Sequence, residues 1–130
     1  MTGPRGIGDF GEQVVGLRRG ETGEGTSTFL LDIEARHMNP HGVVHGGVTY
    51  TMVDNGMGAA VVSTLDVTEL CATIEIKIVY LAPIFGGTLE CVSTVINRGK
   101  RVVTLESEVR NDGKLVAKAL GTYAMFPRKT

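Results

Sequence analysis

The feature that most constrains this chain is the run from His37 to Leu65, which is rich in glycine and carries a single charged side chain, Asp54. A carboxylate set in the least polar part of a sequence must be neutralised, paired or used, because stripping its water without compensation is costly. From His45 to about Ser63 the run has the length of a helix and is apolar on nearly every side, through Val48, Tyr50, Met52, Val53, Met57, Ala59, Ala60, Val61 and Val62. That pattern predicts a long helix buried all round. Gly46, Gly47, Gly56 and Gly58 each cost such a helix up to about 1 kcal/mol relative to alanine, so something must approach its backbone closely.

The flanking sequence reads as strands and turns. Residues 1–9 hold three glycines and a proline and are expected to form a flexible tail; 10–130 are read as one domain. Phe10 to Leu17 fits either a short helix or an irregular first strand. Arg18 to Gly25 has the composition of a turn. Thr26 to Ile33 alternates Phe29, Leu31 and Ile33 with polar neighbours, as a strand with one buried face does. Arg36 to Gly42 contains Asn39-Pro40 and is expected to be a loop. Downstream, Ala72–Leu81, Gly87–Ile96, Val102–Arg110 and Leu115–Phe126 read as strands. Asn97 to Lys100 is a predicted turn, and Asn111-Asp112-Gly113 a predicted tight hairpin. One apolar helix followed by an antiparallel meander is an α+β arrangement that covers itself only if the sheet curls around the helix.

Composition narrows the function. The hydrophobic share of 42% and charged share of 21% are those of a globular domain. With a net charge of -1 and scattered Lys and Arg, the chain lacks the basic stripe that nucleic acid requires. No apolar run approaches a bilayer span and no signal peptide is evident, so a cytoplasmic protein without membrane partners is expected. Cys71 and Cys91 sit in strand segments without CxxC spacing and read as reduced core thiols.

The chemistry lies at two points on the helix. Gly46 and Gly47 fall in its first turn, where N–H groups lack intrahelical partners and face the positive end of the helix dipole. Such amides can polarise a carbonyl and stabilise the oxyanion formed when it is attacked. A tight loop-to-helix junction without ligand is the plain alternative. Asp54 lies nine residues beyond His45, roughly 13 Å along the same helix at 1.5 Å per residue, too far to share a substrate with those amides. A joint role therefore demands a second, antiparallel copy of the helix and a two-fold dimer. The alternative for Asp54 is a structural plug held by hydroxyls or helix ends, although its apolar neighbours strip its hydration and favour a base or nucleophile.

The segment NPHGVVHGGVTYTMVDNGMGAA, with ATIEIKIVYLAP and GKLVAKALGTYAM after it, closely resembles the hotdog-fold acyl-CoA thioesterases of the PaaI-like, phenylacetate-associated group, from about Thr26 to Met125. The resemblance implies a hotdog fold, a curled antiparallel sheet wrapped around one long central helix, and hydrolysis of acyl-CoA to free acid and coenzyme A. It makes the Gly46 amide the oxyanion donor and Asp54 of a second subunit the nucleophile or general base. Asn39 matches the loop asparagine that places the carbonyl or the water, and His45 the histidine that orients the site. Thr73 falls where relatives carry a hydroxyl that steadies the water, with Thr68 as an alternative. The resemblance further implies no metal or other cofactor, coenzyme A being part of the substrate, and a homodimer at minimum, commonly a homotetramer.

Other readings are weaker. His37, His41 and His45 are four apart, but Pro40 and Gly42 interrupt any helix that would align them as metal ligands. A hotdog domain that binds acyl-CoA or another hydrophobic ligand without cleaving it has no need for the acid. A hotdog hydratase uses a different Asp/His arrangement. For the coenzyme A phosphates the candidates are Arg98, Lys100 and Arg101, with Arg128 and Lys129 as a second cluster and an ordinary solvated turn as the alternative. Gly47 joins these as a candidate substrate contact.

Overall fold

The central helix forms where the apolar run places it. The computed structural model describes residues 9–129, so expectations for residues 1–8 of the tail lie outside the described residues. Helix α1 spans Gly46–Val62, and His45 caps it by accepting the Gly47 N–H on Nδ1 at 2.8 Å. At its other end the Ser63 hydroxyl donates to Ala60 O and accepts the Gly25 N–H, tying the helix to the loop before the second strand.

Six antiparallel strands curl against one side of it: β1 Arg18–Gly23, β2 Thr26–Asp32, β3 Glu69–Tyr80, β4 Thr88–Arg98, β5 Val102–Asn111 and β6 Lys114–Pro127. Their order across the sheet is β1-β2-β4-β5-β6-β3. The strand after the helix therefore lands at one edge, beside the last strand of the chain. The hairpin between β5 and β6 turns on Asp112 and Gly113, both with positive φ, as the Asn-Asp-Gly sequence predicts. Phe10–Val15 resolves as a short helical turn that ends at Gly16. No helix among the described residues is long and apolar enough to cross a membrane.

Two expectations need correction. Arg18 to Gly23 is a strand rather than a turn; as the sheet's other edge it pairs with β2 alone, so polar residues and Gly20 are tolerated there. Helix α1 is not buried all round. Thr49, Met52, Val53, Gly56, Met57, Ala60 and Val61 are buried on one face, while Tyr50 and Val62 on the other are exposed and Asp54, Asn55, Gly58 and Ala59 half-buried. A single six-stranded sheet curls round only one side of the helix, and the far side, whose one charge is Asp54, is left open.

The buried face explains one of the glycines. Ser27, Ser93 and Ser107 lie opposite one another across β2, β4 and β5, forming a row of small residues under the helix. Ser27 donates to the Gly56 carbonyl at 2.6 Å, and a Cβ on Gly56 would stand 2.5 Å from Ser93 Oγ. Around the row pack Phe29, Leu31, Leu89, Leu105, Val109 and the helix methionines, all essentially inaccessible. Cys91 is buried among them and Cys71 half-buried, both as free thiols; burial pushes the Cys91 thiol up to about 11.

Candidate active site

Asp54 is held by hydroxyls from two strands. Thr73 of β3 donates to Asp54 Oδ1 at 2.8 Å. Tyr123 of β6 donates to the same oxygen and, at 2.8 Å, to the main-chain carbonyl of Asp54. The second carboxylate oxygen, Oδ2, accepts no hydrogen bond among the described residues, and none of their ion pairs includes Asp54. One oxygen is thus anchored and the other left to the cleft. That cleft encloses about 420 Å³ and is lined by Phe29, Asn55, Gly58, Cys71 and Thr73, among others.

Thr73 reaches the acid because β3 is irregular. The register breaks between Thr73 and Glu75, leaving Ile74 without an opposite residue. Before the break Cys71 and Thr73 stand opposite the buried Met125 and Tyr123; after it, Ile76 and Ile78 stand opposite Gly121 and Ala119. Directly opposed residues share a face of the sheet. The bulge therefore turns both Thr73 and Ile76 toward the helix, where strict alternation would send them to opposite sides. Thr68, the alternative hydroxyl, instead bonds Asp66 at the start of β3.

The helix N-terminus forms a separate site. The Gly46 N–H meets no acceptor among the described residues, whereas that of Gly47 is taken by His45 Nδ1, so only the first of the two amides remains open to a ligand. Tyr80 donates to the Gly46 carbonyl at 2.7 Å, and its ring lies where a side chain at position 46 would project. With Nδ1 accepting, the neutral His45 ring carries its proton on Nε2, available as a donor. A cleft of about 370 Å³ opens here, bounded by Val43, Val44, Thr49, Tyr80 and Ile84. The Asn39 side chain closes its own loop, its Oδ1 accepting the His41 N–H at 2.8 Å. His37 is committed elsewhere: it is buried, with Nε2 donating to Val15 O and Nδ1 accepting from the Glu34 N–H.

Within one chain the amide and the acid line different clefts, as their eight-residue separation along α1 dictates. The basic candidates join neither. Arg98 donates to Thr64 Oγ1 at 3.1 Å and pairs with Glu69, fastening the helix end to β3. Lys100 and Arg101 border a third cleft beside Asp66 and Glu69. Arg128 and Lys129 lie with Leu70 and Phe126 at a fourth.

Tyr123 is the residue that sequence reasoning passed over. It occupies an inward position of β6, between Gly121 and Met125, and is 2% exposed. A buried tyrosine must find a partner for its hydroxyl, and an apolar helix carrying one acid offers an evident one. Burial, and then its bond to Asp54, pushes the phenol well above the usual tyrosine range, so it remains a donor at any working pH.

Comparison with known proteins accords with this architecture. A sequence profile described as the thioesterase superfamily matches residues 41–118, from the loop before α1 into β6. A Saccharolobus solfataricus protein named only provisionally as an esterase is 32% identical over 113 residues, 86% of this chain and 75% of its own length. Human acyl-coenzyme A thioesterase 13 is 28% identical over 71% of this chain and 67% of its own. Among solved structures, a conserved protein of Pseudomonas aeruginosa superposes with a TM-score of 0.85 at 36% identity, covering 88% of this chain and 92% of that one. A mutant of the phenylacetic acid degradation protein PaaI of Thermus thermophilus does so at 0.82 and 26%, over 89% and 98%. With α1, β3 to β5 and the glycine-to-acid run inside the matched residues, and the fold shared with these solved structures, the chain belongs to the thioesterase superfamily, as a hotdog-fold thioester hydrolase of the PaaI-like group.

Proposed function

We propose that this protein hydrolyses an acyl-CoA thioester in a site shared between two subunits of a homodimer, itself half of a homotetramer. The observation that carries this reading is the separation of two complementary half-sites on one helix. The open Gly46 amide lies at its positive end, and a carboxylate with one unbonded oxygen lies about 12 Å along it. Antiparallel apposition of two such helices brings the Gly46 amide of one subunit to Asp54 of the other, twice over. The thioester carbonyl oxygen accepts the Gly46 N–H, where the helix dipole stabilises the charge that develops on attack. Oδ2 of Asp54 either takes the proton from an attacking water or attacks the carbonyl itself. Collapse of the tetrahedral intermediate expels the coenzyme A thiolate. After water attack the thiolate takes the proton held on Asp54, and the free acid follows. Attack by Asp54 leaves instead an acyl–Asp54 anhydride that a water then hydrolyses to the free acid, giving up its protons to the thiolate and the solvent.

Thr73 steadies the carboxylate and the water, while the Asn39 side-chain amide and His45 Nε2–H orient the carbonyl. Gly47 holds the His45 ring rather than the substrate. Of the basic residues, Lys100 and Arg101 serve the coenzyme A phosphates better than Arg98, whose guanidinium is already engaged. No metal or other cofactor takes part in these steps.

The test is Asp54→Asn, assayed by release of free thiol from acyl-CoA esters. Turnover is expected to fall at least about 100-fold, the lower range of a general base's contribution, with the circular dichroism spectrum unchanged. Near-normal turnover would remove Asp54 from the mechanism. A wild-type protein that binds acyl-CoA yet releases no thiol would be a binder instead.

A further inference from the structure

Among the described residues of the cleft, Asp54 alone has its side chain and main chain both gripped by one other side chain. The Tyr123 hydroxyl lies within reach of Asp54 Oδ1 and of the Asp54 carbonyl at once, the two ends of the torsions that set where the carboxylate points. Thr73 reaches only Oδ1 and comes from the sheet's edge strand. Tyr123 sits inside the sheet, between Val103 of β5 and Thr73 of β3, and cannot shift without moving both neighbours.

We propose that Tyr123 is a positioning residue for the hydrolysis, clamping Asp54 so that Oδ2 is presented to the reacting carbon in one fixed geometry. The inference rests on Asp54 acting as set out above. A carboxylate on a half-buried helix face samples several rotamers, of which few present an oxygen to a substrate held by another subunit. Fixing one of them raises the fraction of productive encounters, an effect on kcat rather than on substrate affinity. The other ionisable groups lining the cleft are Arg19 from β1 and Cys71 from β3, and neither hydrogen-bonds Asp54.

Tyr123→Phe keeps the ring in its packing and removes only the donor. The expected result is a fall in kcat of about 10-fold or more, as for loss of a charge-assisted hydrogen bond, with KM changed less than about 2-fold. The same loss should appear in single-turnover rates at saturating substrate, where binding no longer contributes. A merely structural tyrosine would lower the unfolding midpoint and leave the saturated rate of the folded enzyme in place. Site-specific 3-fluorotyrosine at position 123 is the conservative counterpart: the hydroxyl stays as a donor, so kcat should remain within about 2-fold of wild type.

Wild-type kcat in Tyr123→Phe, or an equal fall in kcat in the 3-fluorotyrosine variant, would overturn the clamp. Asp54→Asn measured alongside separates this failure from failure of the mechanism. If that variant turns over normally, the role of Asp54 falls and the clamp with it. If it is inactive while Tyr123→Phe behaves as wild type, only the tyrosine's role falls.

Discussion

Single atoms decide several features of this molecule, and Gly56 shows how closely. It is the helical residue that meets the row of serines: Ser27 donates to its carbonyl, and its missing Cβ leaves room for Ser93 Oγ, which shares a hydrogen bond 2.7 Å long with Ser107 beneath it. Gly56→Ala gains up to about 1 kcal/mol of helix propensity and forces a methyl into Ser93 Oγ. Overpacking of this kind costs about 1–3 kcal/mol, so net destabilisation is expected in urea denaturation. In a Ser93→Ala background the nearest remaining contacts are the Ser93 Cβ at 3.5 Å and Cys91 Sγ at 3.6 Å, ordinary packing distances. The alanine at position 56 should then cost little or even stabilise. Equal costs in both backgrounds would mean that the Ser93 hydroxyl is not what the glycine accommodates. The same scale governs Thr73, whose hydroxyl meets Asp54 because one extra residue, Ile74, reverses the strand's facing.

At the level of elements, what the sequence revealed depended on whether the determinant was local. Helix α1 was legible because an uncharged run of helical length has few other solutions, and the β5–β6 hairpin because Asp112 and Gly113 supply their positive φ angles unaided. Strand β1 was not legible: its polar residues give no alternation, and it exists because β2 offers main-chain groups to pair with. The bulge in β3 was hidden for a related reason, since it is defined against β6 and leaves no mark in the run Thr73-Ile74-Glu75. Gly46 and Asp54 were legible as first-turn glycine and lone acid of the helix, with their roles sharpened by resemblance to a family, through which alone Thr73 entered. The Asp54–Tyr123 pair, 69 positions apart in sequence, emerged only with the fold. The hairpin offers a test at this scale. Gly113 adopts φ of 90°, where a Cβ is strained, so Gly113→Ala should cost about 1–2 kcal/mol. It should leave kcat unaltered, since the turn lies outside both clefts; an unchanged unfolding midpoint would show that the loop relaxes into another turn type.

At the scale of the whole molecule, the open face of α1 and the exposed strand β3 invite a second copy. Tyr50 and Val62 on the helix and Ile74, Val79 and Tyr80 on the strand leave apolar area in water that a lone subunit has no means to cover. If two chains close over it with their helices antiparallel, each dimer contains two sites, each drawing Gly46 from one subunit and Asp54 from the other. That arrangement can be tested by complementation. Gly46→Pro deletes the open amide at the first helical position, where proline is well tolerated. The preceding His45 already has the extended ψ of 133° that a following proline requires, and the neighbouring Tyr80 ring is half exposed and free to yield. In a mixed dimer of Gly46→Pro and Asp54→Asn subunits one site carries both lesions and the other carries neither. Each parent protein should be almost inactive, and purified mixed dimers should regain about half the wild-type activity. No recovery in mixed dimers, verified by differential tagging with both parents folded, would place the amide and the acid of each working site on one chain or remove one of them from the reaction.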